Sequence, residues 1–209
     1  MEFDGVVPVD VNDPDAPDVW LEVTVCTPDS KEHESLVMTE ARPSHVHAAL
    51  LMLGVEPGRP GFWDVSEAGE LLKFEPEGPA VRVEFITRRD GGEVIEDAAD
   101  WVLVVDGPRL ERRRVLSDVV VGEAFVFGGS RIVERAGREW YEADMVGTLV
   151  GLSTFGSETV AHVEVHSHAS AVEAPRFLAR SDVVPPQWTE VTVRLTVVGP
   201  SEEGEVSGD

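Results

Sequence analysis

Apolar residues along this chain recur at alternate positions, in short runs bounded by turn formers. "FDGVVPV" (Phe3 to Val9) opens the series, and "DVWLEVTVC" follows with Trp20, Glu22 and Thr24 alternating against Leu21, Val23 and Val25. The runs "ESLVMT", "AVRVEFIT", "DWVLVV", "EAFVF", "RIVER", "REWYEA", "GTLVGLS", "ETVAHVEV" and "EVTVRLTVV" continue the pattern. "RDGGEV", with Asp90, Gly91 and Gly92 at its tip, has the composition of a hairpin turn. Together these runs predict about ten short strands.

One segment has helical character, Ser44 to Leu53. Ser44 offers a side-chain oxygen to the first-turn amides, and Pro43 before it prevents backward extension. Gly54 suits a left-handed C-terminal stop. Val46, Ala49, Leu50 and Leu53 form one stripe, and Leu51 and Met52 make the rest apolar too. A short helix apolar nearly all round is expected to be buried. The predicted fold class is α+β, mainly β: one compact domain of about ten short strands with one short buried helix. Its expected extent is residues 1–199, followed by an acidic, disordered tail over 200–209.

Composition narrows the partners. The chain has 209 residues and a net charge of −23. Such a surface repels phosphate backbones, so nucleic acid is not an expected partner. No run approaches the length of a membrane-spanning helix, so no transmembrane segment is expected. Cys26 is the only cysteine, which excludes an internal disulfide and argues against an iron–sulfur cluster. The basic cluster in "VDGPRLERRRV" (Arg109, Arg112, Arg113, Arg114) reads as a surface loop or short helix that offsets the acidic field.

The candidate chemistry lies in two histidine clusters. "KEHESLVMTEARPSHVH" carries His33, His45 and His47 beside Glu32, Glu34 and Glu40. Two positions apart on a helix, His45 and His47 point to nearly opposite sides, though the first turn is less constrained. A helix N-terminus favours neutral imidazoles, which serve as metal ligands or general bases. His33, His45 and His47 are therefore a candidate ligand set for a divalent metal. The same residues also fit a structural reading, as separate hydrogen-bonded struts. "AHVEVHSHA" places His162, Glu164 and His166, with His168, on one face of a strand, a second candidate metal set. Ser35, Ser130 and Ser157 lack the strand–turn–helix setting of an activated nucleophile.

From "CTPDSKEHESLVMTEARPSHVHAALLMLG" onward the sequence resembles the YdjY domain family of bacterial proteins. "FDGVVPVDVNDPDAPDVWLEV", "EPGRPG", "FVFGGSRIVE", "YEAD", "GTLVGLSTFGSET" and "VVPP" extend the resemblance, in order, over nearly the whole chain. It carries no established activity. It puts emphasis on Lys31, Glu32, His33, Glu34 and Ser35, on Ser44, His45 and His47, on Ser130 and Arg131, and on Thr154, Phe155 and Glu158. The histidines of "AHVEVHSHA" depart from the family pattern. Some members bear an iron–sulfur label, which the single Cys26 opposes unless chains share a cluster. Members often carry export or lipoprotein leaders, so the resemblance implies an exported, cell-envelope protein whose leader is absent here.

Three function classes follow. The first is a metal- or small-ligand-binding envelope domain centred on the KEHES and SHVH blocks. Its ligand-pocket candidates are Lys31, Glu32, Glu34, Ser35, Ser130, Arg131, Thr154 and Glu158. The second is a metal-dependent hydrolase using the same histidines. The third is a structural or protein-interaction module. The reaction, the ligand and any protein partner are unknown at this stage. If the first class holds, His33 and one of His45 and His47 should converge on one pocket lined by Glu32 or Glu34.

Overall fold

The computed structural model describes residues 1–16, 18–89, 91–106 and 111–199. Strands appear in chain order as β1 (Glu2–Val6), β2 (Trp20–Leu21), β3 (Val23–Cys26), β4 (Ser35–Met38), β5 (Phe62–Val65), β6 (Leu71–Phe74), β7 (Ala80–Arg89), β8 (Gly92–Asp97) and β9 (Val102–Asp106). They continue as β10 (Arg112–Val115), β11 (Phe125–Val126), β12 (Ile132–Arg135), β13 (Arg138–Tyr141), β14 (Thr148–Gly151), β15 (Val160–His162), β16 (Phe177–Ala179) and β17 (Glu190–Val197). The α-helices are α1 (Pro43–Met52), α2 (Leu116–Val119) and α3 (Glu142–Val146).

Eight strands close into a barrel in the order β11-β15-β14-β3-β4-β1-β17-β7, with β7 returning to β11. The closing pairs are Phe125↔Val81 and Val126↔Ala80. β8 continues the sheet beyond β7, using the half of β7 that β11 does not reach. A second, four-stranded sheet has the order β10-β9-β16-β2, and β5–β6 and β12–β13 are separate hairpins.

Sequence alternation places the barrel wall. On β17, Val191, Val193 and Leu195 are buried while Glu190, Thr192 and Arg194 turn outward. Their antiparallel partner β7 buries Val81, Val83 and Phe85, in a register that sets Val193 opposite Phe85 and Leu195 opposite Val83. β3 and β4 pair in parallel, and β3 is buried along its whole length. That fits the usual covering of parallel strands on both faces. Trp101, fully buried, packs its ring 4.7 Å from that of Phe85.

The structure corrects the expected count. There are seventeen strands and three α-helices among the described residues, arranged around a closed barrel, rather than about ten strands with one helix. The physical reason is visible in "DVWLEVTVC". The run reads as one strand, but Trp20–Leu21 pairs with β16 of the four-stranded sheet while Val23–Cys26 joins the barrel. Glu22 sits at the break, and its carbonyl accepts from the amides of Leu152 and Ser153. Arg112, Arg113 and Arg114, expected in a loop or short helix, lie on β10 instead. Arg113 pairs with Asp18 and Arg114 with Asp106, so they do offset acidic neighbours. Asp90, Arg109 and the 200–209 tail lie outside the described residues.

α1 begins at Pro43, and its N-cap is Arg42 without a side-chain bond, so Ser44 is not the cap. The capping carboxylate comes from α3: Asp144 accepts from the Ser44 amide at 2.8 Å and from the Ser44 hydroxyl at 2.6 Å. Gly54, at φ 79°, follows the last turn in the left-handed region. Val46 and Leu50 are buried, but Leu51, Met52 and Leu53 are 43%, 89% and 64% exposed. The helix is therefore buried on one face rather than all round. No helix among the described residues is long and apolar enough to cross a membrane.

This division of α1 is testable by chemical denaturation. Leu50→Ala should cost about 2–5 kcal/mol, as for other core truncations, while Met52→Ala should stay within about 0.5 kcal/mol. Equal losses at the two positions would contradict the packing described.

Candidate functional site

The KEHES block folds largely onto itself. Glu32–Glu34 form a single 3-10 turn. The Glu32 carboxylate accepts from the amides of Asp29 and Ser30, and its own amide, followed by these two, holds its carboxyl below the ordinary range. Lys31 Nζ lies 2.8 Å from Glu22 and 4.3 Å from the centre of the Phe155 ring. Burial, then the neighbouring charge of Glu22, raises the Glu34 carboxyl. Ser35 is buried and donates to the Val37 carbonyl at 2.9 Å. The His33 side chain is 76% exposed, with Nε2 3.9 Å from Glu34.

A cavity of about 350 Å³ opens at the start of α1. Ser44 and His47 line it from the helix, Gly128 to Ile132 from the turn after β11, and Tyr141 from the end of β13. The turn depends on its glycines. Gly129 has φ 88°, and a side chain there would collide with Pro57 and press on His47 Cε1. The Tyr141 hydroxyl donates to the Gly129 carbonyl at 2.9 Å and lies 2.9 Å from His47 Nδ1. With its hydrogen committed to that carbonyl, the tyrosine oxygen accepts from Nδ1–H. This arrangement fits the His47 tautomer that carries its proton on Nδ1 and leaves Nε2 bare. Burial pushes the His47 imidazole below its ordinary value, against the Gly129 carbonyl. The Tyr141 phenol is raised, chiefly by burial. The rings of Phe127 and Tyr141 stand edge-on to His47, at 5.0 and 5.3 Å.

The loop 153–158 backs the turn that carries Ser130. Ser130 donates its amide to the Glu158 carbonyl at 3.0 Å and its hydroxyl to the Ser157 carbonyl at 2.6 Å. Glu158 is buried, and its side chain folds back to accept from the amides of Phe155 and Gly156. Burial raises its carboxyl to about 7, opposed by those amides and by Arg131. The Arg131 Nε donates to Glu142 at 2.7 Å. Its guanidinium lies close to the place a side chain on Gly156 would occupy, 3.6 Å away. The same loop presents Phe155 to Lys31, so the two family blocks meet on opposite sides of one wall.

The structure thus gathers Ser44, His47, Ser130 and Arg131 around one cavity, with Glu158 bonded to Ser130 behind it, whereas Thr154 lies outside the lining and bonds the His166 segment. It does not bring His33 or the exposed His45 into contact with His47. His162 and His166 are buried in a different place, beside Phe177, and Glu164 pairs with Arg176. Among the described residues no three His, Cys, Asp or Glu side chains assemble as a metal-holding group. Of the residues expected to converge, His33 and at least one of His45 and His47, only His47 lines the cavity. Tyr141 and Asp144 were not singled out by residue chemistry. Their signal was the "YEAD" segment, which supplies the tyrosine that orients His47 and the aspartate that caps its helix.

The family model of the YdjY domain matches residues 6–196 of the chain. No curated protein and no solved structure matches it.

Two NMR measurements check this geometry. The His47 ring should titrate with a midpoint below about 6.5, the ordinary histidine value. In the window just below that value the unfolded chain binds the proton more readily than the folded one. The stabilising contribution of neutral His47 is then full above pH 6.5 and lost as pH falls through its folded value. Ring-nitrogen shifts at pH 7.5 should show Nδ1 protonated and Nε2 bare. The opposite tautomer would remove the acceptor from the cavity.

Proposed function

We propose that this chain, which belongs to the YdjY domain family, is a small-ligand-binding domain whose site is the cavity between α1 and the Gly128–Arg131 turn. The observation that carries the reading is the oriented His47. An imidazole with Nδ1 tied to Tyr141 and Nε2 left bare inside a cavity is an acceptor awaiting a donor. Arg131 stands at the same rim with one nitrogen bonded to Glu142 and the rest of its fork free to bind an anion. Together they fit a ligand that carries an anionic group and, a short distance away, an O–H or N–H donor. The cavity lies at the lower end of the size range of small-molecule sites, which suits a metabolite-sized ligand.

The donor set favours an organic ligand over a metal ion. His47 is the one imidazole lining the cavity, and its neighbours there are a hydroxyl, a phenol and a guanidinium. A guanidinium beside the position of a divalent cation is repulsive.

The test uses the full chain and a panel of hydroxycarboxylates, amino acids, phosphate monoesters and neutral sugars. Binding is read from the amide signals of Gly129 and Ser130 and from the Arg131 Nε–H. At least one anionic probe class should move all three, neutral sugars should not, and Arg131→Gln should weaken that probe by about tenfold or more. If no probe moves these signals, or if Arg131→Gln binds equally well, the ligand-binding reading falls.

A further inference from the structure

The second histidine cluster occupies the joint between the barrel and the four-stranded sheet. His162 ends β15, and His166 follows in the segment that leads to β16. Both side chains are buried, at 4% and 5% exposure. Their rings meet the Phe177 ring of β16 edge-on, each with centroids 5.6 Å away, and Phe125 of β11 lies 6.1 Å from His162. His162 Nδ1 lies 3.1 Å from the Glu164 carbonyl and 3.3 Å from the Glu164 amide, while its Nε2 is buried with no hydrogen-bond partner. His166 Nε2 donates to the Ala174 carbonyl at 3.0 Å, and its Nδ1 is 3.6 Å from Glu173.

Four charged groups face this pair. From the segment itself come Glu164, bonded to Arg176 at 3.0 Å, and Glu173; from β6 comes Lys73, 2.7 Å from Glu173. Burial opposes ionisation of Glu173, but Lys73 and the Ser167 amide hold its carboxyl below the ordinary value. The segment is also fastened to the loop that begins at Thr154. The Thr154 amide donates to the His166 carbonyl at 2.7 Å, and the His166 amide donates to the Thr154 hydroxyl at 3.2 Å. Thr154 begins the loop whose far end bonds Ser130.

We propose that residues 163–176 are an acid-released clasp: when His162 and His166 take up protons, the segment leaves its seat on Phe177, uncovers His162 and frees the Thr154 end of the loop that bonds Ser130. A charged imidazole needs an acceptor at both nitrogens. His166 has Glu173 close to its second nitrogen. His162 has none, and a proton on its Nε2 would sit unsatisfied among aromatic rings. Release to water removes that conflict. Burial lowers His162 from 6.5 to about 4, and lowers His166 against the pull of Glu173. At pH 5.0 a released His162 is charged and a seated one largely neutral, so the opening equilibrium rises about 30-fold over pH 7.5 from His162 alone. Any effect on the ligand cavity, through the loop that bonds Ser130, rests on the reading above; the release itself is measured without ligand.

Hydrogen exchange of the full chain at pH 7.5 and 5.0, scaled for the intrinsic pH dependence of exchange, tests the release. Amides of residues 163–176 should lose about 30-fold or more of their protection at pH 5.0, while those of β17 keep theirs. His162→Gln should confine the loss to a few-fold. Protection of β17 shows whether that variant is folded. Where it is not, the wild-type arm decides, because the release midpoint must coincide with the His162 ring titration read by NMR. Equal protection at both pH values, an equal loss in a folded His162→Gln, or a release midpoint away from the His162 titration overturns the clasp.

Discussion

The structure hangs on the two-residue seam that joins β11 to β7. Without this seam β11 would present a row of unpaired backbone donors and acceptors, and pairing it with the start of β7 closes the barrel while β8 extends the sheet outside it. The seam is short because β7 serves two neighbours, β11 at its first residues and β8 along the rest. Directly after the seam the chain leaves the wall as Phe127–Gly128–Gly129–Ser130–Arg131. The cavity residues therefore sit where they do because the barrel closes there. α1 is held against this point by Asp144, which belongs to the segment that re-enters the barrel as β14. The candidate site is thus built at a closure, from the two elements flanking it.

Much of the wall was legible. "AVRVEFIT" and "EVTVRLTVV" alternate cleanly because each has one face in the barrel interior and one in water, and they became β7 and β17. What alternation does not encode is which sheet a run belongs to. Trp20–Leu21 and Val23–Cys26 share one apolar pattern yet part company at Glu22. Closure was equally invisible, since it depends on Phe125 meeting Val81 across more than forty intervening residues. The site was legible in part. His45 and His47 do point apart, as helical geometry requires. The direction of His33 was not readable, because a loop histidine follows the turn that carries it, and here Glu32 bonds the turn to its own backbone. Tyr141 is an ordinary strand residue by pattern. Only the tertiary meeting of β13 with α1 gives it a role.

Buried polar groups divide by how they are satisfied. Glu158 accepts two backbone amides of its own loop and shapes the wall. Ser35 and Thr39 return their hydroxyls to nearby carbonyls, Ser35 to Val37 and Thr39 to Asp4. These groups are accounted for by structure alone. His47 and His162 differ, each with one nitrogen bonded and one unmatched. In His47 the unmatched atom faces a cavity, and in His162 it faces aromatic rings. The same local defect has opposite meanings in the two settings, an invitation to a ligand in one and a latent instability in the other.

The position of β17 bears on how the protein is made. β17 is the last strand among the described residues, yet it stands between β1, the first of them, and β7. Until residues 190–197 have left the ribosome, the barrel cannot exist. The wall strands synthesised earlier must wait with open edges, β1 and β7 each missing the same partner. Sheet edges of this kind recruit other chains. The nascent barrel is thus exposed until β17 emerges, and removing β17 alone would leave a sheet with two unpaired edges rather than a slightly smaller barrel.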